Sequence, residues 1–397
     1  MTKVHIIGAG LAGLAAGVKL ADAGKQVILY EAAPQAGGRC RSYFDTALGR
    51  TLDNGNHLVL GVNRHALAYI NTIKSQGSFL SPEKPCYSFV DLDSGAAFDF
   101  QFHWAVSALM QLAFAGKHQT VADCVNTRSL SYKCFIQPFC TAVLNTEASH
   151  ASATMLRGAL WKVFKSGKHV LRYFLPRNSL SESLIEPACR RIEADGGTIV
   201  YNSAVRKLEW EENYISALQF SDRHIETKGD AVILATSPQT AAKLLSDISI
   251  PSGFNAIVNG HFVCPDLLWP TGKDFIGVIA GTAQWMFYRG GILSTTTSAA
   301  NALAENDLSV IAELLWKDVC HALQISAPLP PHRIICEKRA THAITPGAAI
   351  LTHKAYGNLF LAGDYTQSQL PATIDSAVKS GFKAAEQVIK AIPRHPK

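Results

Sequence analysis

Apolar residues along this chain fall into short blocks separated by glycine turns, with longer stretches at helical spacing between them. Residues 3–7 (KVHII) form a short apolar block of the kind a buried strand needs, and Gly8-Ala9-Gly10-Leu11-Ala12-Gly13 follows at once. From Leu11 to Ala23 the positions are mostly Ala, Leu and Val at helical spacing, and Gly24 suits the left-handed turn that ends a helix. A second apolar block occupies 26–30. The pattern predicts strand, tight turn, helix, strand.

The same grammar returns further on. Residues 182–195 read as a helix ending at Gly196-Gly197, 198–207 as a strand, the polar stretch to Lys228 as a hairpin region, and 230–235 as a buried strand. Near the end, 358–362 reads as a strand leading into Gly363-Asp364-Tyr365-Thr366, with a helix expected to start close to Pro371 and Ala372, because proline suits a first helical turn. Trp104, Leu109, Met110, Leu112 and Phe114 suggest an apolar helix. The stretch 161–174 mixes cations with aromatics, which suits either a membrane surface or an amphipathic helix packed on its own core.

Composition narrows the class. A chain of 397 residues exceeds one ordinary core, so about two domains are expected. With 48% apolar and 17% charged residues it should fold throughout. The net charge of +6 is not gathered into basic blocks, which argues against a nucleic-acid binder and leaves room for a mild attraction to anionic membranes. Nine cysteines without a C-x-x-C pair suggest neither zinc ribbon nor disulfide framework, so reduced thiols in a cytoplasmic protein are expected. No signal peptide is expected, and the apolar stretch at 104–115 is too short to span a bilayer.

The first motif carries chemistry. In G-x-G-x-x-G after a strand, Gly8 permits a tight turn, Gly10 lets backbone approach a pyrophosphate, and Gly13 lets helix pack closely on strand. The helix N-terminus at Leu11 and Ala12 then presents N–H groups and a positive dipole end to phosphate. Glu31 closes the second strand, beside Ala32, where a carboxylate can accept from an unphosphorylated ribose, as in FAD or NAD. A tight turn with no ligand is the alternative for the glycines alone; the flanking elements and Glu31 favour dinucleotide binding.

Gly37-Gly38-Arg39, following Glu31, resembles the flavin amine oxidase and phytoene desaturase superfamily. The resemblance implies FAD, with Arg39 and Arg41 as charge-assisted donors to its phosphates, the alternative being exposed loop charge. Asp53-Asn54-Gly55-Asn56-His57 resembles the segment that passes the flavin, so Asn56 and His57 are placed at the cofactor. His57 is the candidate catalytic proton shuttle, or else a residue that only positions its loop. By the same resemblance Val205 reaches the adenine, Gly363 and Asp364 the ribityl-phosphate region, and Ala372, Thr373 and Ile374 form a helix N-terminus facing the flavin pyrimidine edge. Such a dipole would stabilise negative charge on reduced flavin.

Together, the 53–61 segment, Glu337-Lys338-Arg339-Ala340-Thr341, and 362–374 with Ser380-Gly381 resemble the hydroxysqualene dehydroxylase family over nearly the whole chain. Departures are Asn56 where Gln is expected, Tyr365 where Trp is frequent and Ser376 where Gly is frequent. The non-aromatic Gln367-Ser368-Gln369-Leu370 tilts the choice away from amine oxidases.

The implied fold class is α/β: a Rossmann-type FAD-binding domain (1–80, 181–254 and 355–397) with a mixed α+β substrate domain (81–180 and 255–354), flavin amine oxidase-like. The implied activity is FAD-dependent reductive removal of an allylic hydroxyl from hydroxysqualene. The substrate would be a long apolar isoprenoid supplied by a squalene-synthase-like enzyme, with peripheral contact on the inner face of the membrane. A carotenoid-type desaturase, an amine oxidase and a non-catalytic flavin-binding lipid presenter are the alternatives. No metal is expected.

Overall fold

The computed structural model describes residues 2–166, 171–246, 248–251, 253–348, 356–366 and 370–391. Its first element, β1 (Lys3–Ile7), is the middle strand of a parallel five-stranded sheet in the spatial order Thr198–Val200, β2 (Gln26–Tyr30), β1, Ala231–Leu234, Leu359–Leu361. A parallel sheet is covered on both faces, which is why these strands read as unbroken apolar blocks and not as alternating ones. Val4, Ile6 and Ile233 face α1 (Leu11–Asp22) and the last helix, Ile374–Ala391. Ile7, Val232 and Leu234 face a three-stranded antiparallel sheet formed by Lys207–Glu211, Tyr214–Gln219 and His224–Glu226.

Two expectations change here. The strand expected over 198–207 is divided: pairing stops at Val200 and resumes in the antiparallel sheet at Lys207. Between them Asn202 adopts a left-handed φ of 51°, and the amides of Asn202 and Ser203 donate to the carbonyls of Ala33 and Glu31. These bonds carry the chain off one sheet and onto the other. The last helix begins at Ile374, not at Pro371, because Thr373 and Ser376 cap each other: Ser376 Oγ accepts from the Thr373 amide at 2.9 Å, and Thr373 Oγ1 from the Ser376 amide at 3.3 Å. Gln367, Ser368 and Gln369 lie outside the described residues.

A second, seven-stranded sheet runs in the order His332–His342, Phe254–Val263, Ile292–Thr297, Trp285–Arg289, Phe275–Ile279, Ser88–Asp91, Ala97–Asp99. Side chains alternate across a strand. Val258, Phe262, Ile276 and Met286 pack under the helix Leu308–Leu323, while Asn259, Phe275, Trp285 and Phe287 turn to a cavity on the opposite face. Helices between Phe102 and Ser166 close that cavity from the far side around their own core. Among the described residues no helix is long and apolar enough to cross a membrane, and no cluster of potential ligands could hold a metal.

Candidate active site

One cavity of about 1560 Å³ runs from the C-terminal edge of the parallel sheet to the second sheet. A single small ligand fills roughly 300–1,000 Å³, so this volume suits two bound groups end to end.

At the sheet edge the glycines divide their work. Gly8 has φ +103°, and a Cβ there would lie 2.7 Å from the Ala235 carbonyl. A Cβ on Gly13 would lie 1.9 Å from the Gly8 carbonyl; Gly13 is the one expected cofactor residue that does not line the cavity, and what it secures is the packing of α1 on the turn. At Gly10 a Cβ would meet nothing within 4 Å, so this backbone opens onto the cavity. Gly10 also forms the N-cap of α1 without any side-chain cap, and Leu11 and Ala12 line the cavity behind it. Uncapped N–H groups at such an end can serve a phosphate.

Glu31 stands at the end of β2 with Ala32 beside it in the cavity wall. Its two carboxylate oxygens accept from the amides of Ala9 at 2.8 Å and Ala33 at 2.9 Å. A carboxylate has about four acceptor positions, so room for a ribose hydroxyl remains. Gly37 and Gly38, both at positive φ, fold the next segment back against Gly10, and Gly37 donates to the Ala9 carbonyl. Val205 lines the same end from the crossover between sheets.

Arg39 is engaged within the protein. It donates to the Ala340 carbonyl at 2.6 Å and to Asp364 Oδ2 at 2.8 Å, while lining the cavity. Burial alone would raise the Asp364 carboxyl, but the charge and hydrogen bond of Arg39 hold it below the usual carboxylate range. Asp364 Oδ1 accepts from the Tyr365 amide. The two side chains pair with each other while both line the cavity, and among the described residues three guanidinium N–H groups of Arg39 are left over. Arg41 bonds the Gly38 carbonyl and also lines the cavity. Gly363 and, from the helix start, Ala372, Thr373 and Ile374 complete this wall.

Asn56 and His57 lie where the two halves of the cavity meet. Asn56 Nδ2 donates to Thr296 Oγ1, which donates to Asn259 Oδ1, a polar chain across the second sheet that sequence reading missed. His57 Nε2 is 3.9 Å from Cys40 Sγ. Burial drives the His57 pKa down to about 4 against the opposing pull of Asp53, so the imidazole is neutral near pH 7. Burial likewise pushes the Cys40 thiol up to about 12, which keeps it protonated. These environments favour His57 as a positioning group over a resident acid.

Beyond His57 the wall turns aromatic: Phe89, Phe135, Phe275, Trp285 and Phe287 line it, and Phe275 meets Trp285 at 5.9 Å between rings. The alternation of Trp285 and Phe287 was available in the sequence. Also missed was Gln239, whose buried Nε2 lines the cavity with no hydrogen-bond partner among the described residues. An orphaned amide, an open Gly10 backbone and an uncapped helix end are what a bound dinucleotide would satisfy, so the residues fit the expected group.

The comparisons agree with this geometry. The family model described as flavin containing amine oxidoreductase matches residues 11–103 and 98–389. A hydroxysqualene dehydroxylase of Sinorhizobium fredii is 37% identical over 97% of each chain. A probable zeta-carotene desaturase of Synechococcus elongatus is 33% identical, but over 27% of this chain and 21% of its own. Among solved structures, cyclohexylamine oxidase from Brevibacterium oxydans superposes with a TM-score of 0.72 at 15% identity, covering 99% of this chain and 100% of its own. On this evidence of shared sequence and shared fold, the chain belongs to the flavin-containing amine oxidoreductase family, among its hydroxysqualene dehydroxylases.

Proposed function

We propose that this protein is an FAD-dependent oxidoreductase that removes the allylic hydroxyl of hydroxysqualene, giving squalene and water as reduced flavin is oxidised. The observation that carries this reading is the continuity of a dinucleotide cradle with a cavity walled by aromatic side chains. Phe275, Trp285 and Phe287 offer apolar surface suited to an isoprenoid chain. The full-length likeness to hydroxysqualene dehydroxylases supports the same choice over a carotenoid desaturase, whose likeness is partial. The alcohol would come from a prenyl-coupling enzyme of the squalene-synthase type.

When bound, reduced FAD would supply a hydride for the carbon and a proton that turns the departing hydroxide into water. The chain's own contribution is placement and dryness. Gly8 and Gly10, the start of α1, Glu31, Val205 and the start of the last helix would hold the dinucleotide. The aromatic wall excludes water, so that a carbon losing hydroxide meets no competing nucleophile. Asn56, coupled to Thr296 and Asn259, would hydrogen-bond the departing hydroxyl, with neutral His57 beside it to orient that oxygen or a water.

The test is anaerobic. Prereduced holoenzyme is mixed with hydroxysqualene and with phytoene, and oxidised holoenzyme separately with phytoene, while flavin absorbance and product masses are followed. Reoxidation with loss of oxygen from hydroxysqualene alone is expected. Oxidised enzyme that is reduced by phytoene, with no response of prereduced enzyme to hydroxysqualene, would make it a desaturase, and protein that cannot be reconstituted with FAD would reject the reading.

A further inference from the structure

Four large apolar side chains stand in water on one side of the molecule: Phe114 is 98% exposed, Met110 72%, Trp161 53% and Phe164 46%. They belong to one surface. Arg157 donates to the carbonyls of Ala113 at 2.9 Å and Ala115 at 3.1 Å, tying the loop that carries Phe114 to the helix Ala153–Ser166. One turn further along that helix Trp161 stacks on Phe164, their rings 5.9 Å apart. Met110 lies on the adjoining helix, Phe102–Gln111.

This surface adjoins the cavity. Trp161, Lys162 and Lys165 line it from one helix, Phe102 and Ala105 from the other. Trp161 thus belongs both to the exposed apolar cluster and to the lining of the cavity that holds the aromatic wall. Scattered exposed apolar residues need no explanation, but a cluster at a cavity rim marks an interaction surface.

Charge identifies the partner. Residues 100–122 and 148–181 hold seven Lys and Arg and no Asp or Glu, so against a net charge of +6 the remainder of the chain is one short of neutral. The positive balance is thus concentrated in the segments that carry the exposed apolar residues. Exposed apolar side chains with cations beside them, as Trp161 and Phe164 have Lys162 and Lys165 on the same helix, match the boundary between headgroups and acyl chains of an anionic leaflet.

We infer that this face docks on an anionic lipid leaflet, with Met110, Phe114, Trp161 and Phe164 entering the acyl boundary, so that a lipid-dissolved substrate passes directly into the cavity. The inference rests on the isoprenoid reading for its purpose, but not for its measurement. Holoenzyme is sedimented with vesicles of phosphatidylcholine alone and of phosphatidylcholine with phosphatidylglycerol, at low and high salt. Binding to the anionic vesicles that weakens with salt is expected. The Met110→Ser/Phe114→Ser double variant, altered outside the cavity wall, should bind them roughly tenfold more weakly while keeping its FAD spectrum and its turnover of detergent-dispersed alcohol.

Equal sedimentation of the double variant and the parent, or no preference for anionic over neutral vesicles, would overturn the inference. A self-association that the double variant loses, with no vesicle binding by the parent, would assign the face to a second copy instead and overturn it as well. Vesicle binding needs no substrate, so a wrong substrate assignment would leave it intact, and intact turnover without vesicle binding would sink the docking alone.

Discussion

Arg39 and Asp364, 325 residues apart in the chain, meet at 2.8 Å beside the mouth of the dinucleotide cradle. Asp364 is buried, whereas 41% of the Arg39 side chain is accessible, opening on the cavity it lines. The pair joins the loop after β2 to the end of the last strand of the parallel sheet, and Arg39 adds a third segment through the Ala340 carbonyl. Losing one partner of a well-buried pair typically costs 3–5 kcal/mol, and solvent at Arg39 reduces that to about 2 kcal/mol here. Asp364→Asn should therefore lower unfolding stability by about this amount, read from chemical denaturation of the apoprotein. A double-mutant cycle with Arg39→Met would isolate the pairing; additive effects would mean the two side chains act independently.

The same pair has an acid signature. The folded-state pKa of Asp364 is depressed, so its contribution is fully present above the ordinary carboxylate pKa and is lost as pH falls through the lower folded value. The stability difference between parent and Asp364→Asn should accordingly shrink on acidification below about pH 4. A difference that is constant from neutral pH down to pH 3 would refute the assignment.

Two glycines of one motif should fail in different ways. Gly10→Ala adds a Cβ that meets no protein atom within 4 Å, at a backbone φ of −72° that any residue can adopt. The apoprotein should unfold within a few degrees of the parent, yet FAD affinity should fall by about tenfold or more, since the methyl enters the space a pyrophosphate would take. Gly13→Ala drives its Cβ to 1.9 Å from the Gly8 carbonyl, so it should destabilise the apoprotein itself by about 1–3 kcal/mol or more. Thermal unfolding of both apoproteins, followed by flavin titration, separates the two outcomes. Parallel losses of stability would show that the motif has one structural duty only.

Why was the cradle legible in the sequence while its far wall was not? The β1–α1–β2 unit is local: its turn, helix and second strand lie within thirty residues, and each glycine has a conformational reason to be where it is. Glu31 and Gly37-Gly38 belong to the same local run. The mutual engagement of Arg39 and Asp364 could not be read, since each reads as a ligand group and only the folded chain brings them together across 325 residues. Val205 was placed in a continuous strand because Thr198–Val200 and Lys207–Glu211 share strand-like composition; the Asn202 turn that separates them is held by bonds to Ala33 and Glu31, far away in sequence. The aromatic wall gathers Phe89, Phe135 and Phe287 from three separate regions, and no spacing rule links them.

His57 gives a prediction with a definite sign. Its folded pKa of about 4 lies below the ordinary 6.5, so the unfolded chain binds more protons across that interval and stability falls as pH is lowered through it. Because the imidazole borders a cavity that solvent can enter, the loss should be about 1–2 kcal/mol. His57→Gln should remove that part of the acid sensitivity, making the variant less pH-dependent between pH 6.5 and 4. Turnover should drop by about tenfold or less, with no inflection near 6.5 in the parent's rate profile. A loss of a thousandfold, or an inflection that the variant abolishes, would restore His57 as the proton donor.

The aromatic wall should govern substrate and not cofactor. Trp285 and Phe287 sit on one face of a single strand, pointing into the cavity, while Met286 between them packs under the helix of the second sheet. Truncating Trp285 to Ala removes apolar surface that an isoprenoid would cover, at roughly 25 cal/mol per Å², so KM should rise by about ten- to fiftyfold. FAD affinity should stay within about twofold, because Trp285 is remote from the glycine turn and Glu31. Met286→Ala is the matched control: it opens a void in the core, costing about 2–5 kcal/mol in stability, with much less effect on KM at temperatures where it remains folded. If Trp285→Ala instead weakened FAD retention and left KM alone, the division of the cavity into a cofactor end and an isoprenoid end would be wrong, and with it the case that this fold turns an apolar chain, and not an amine, towards its flavin.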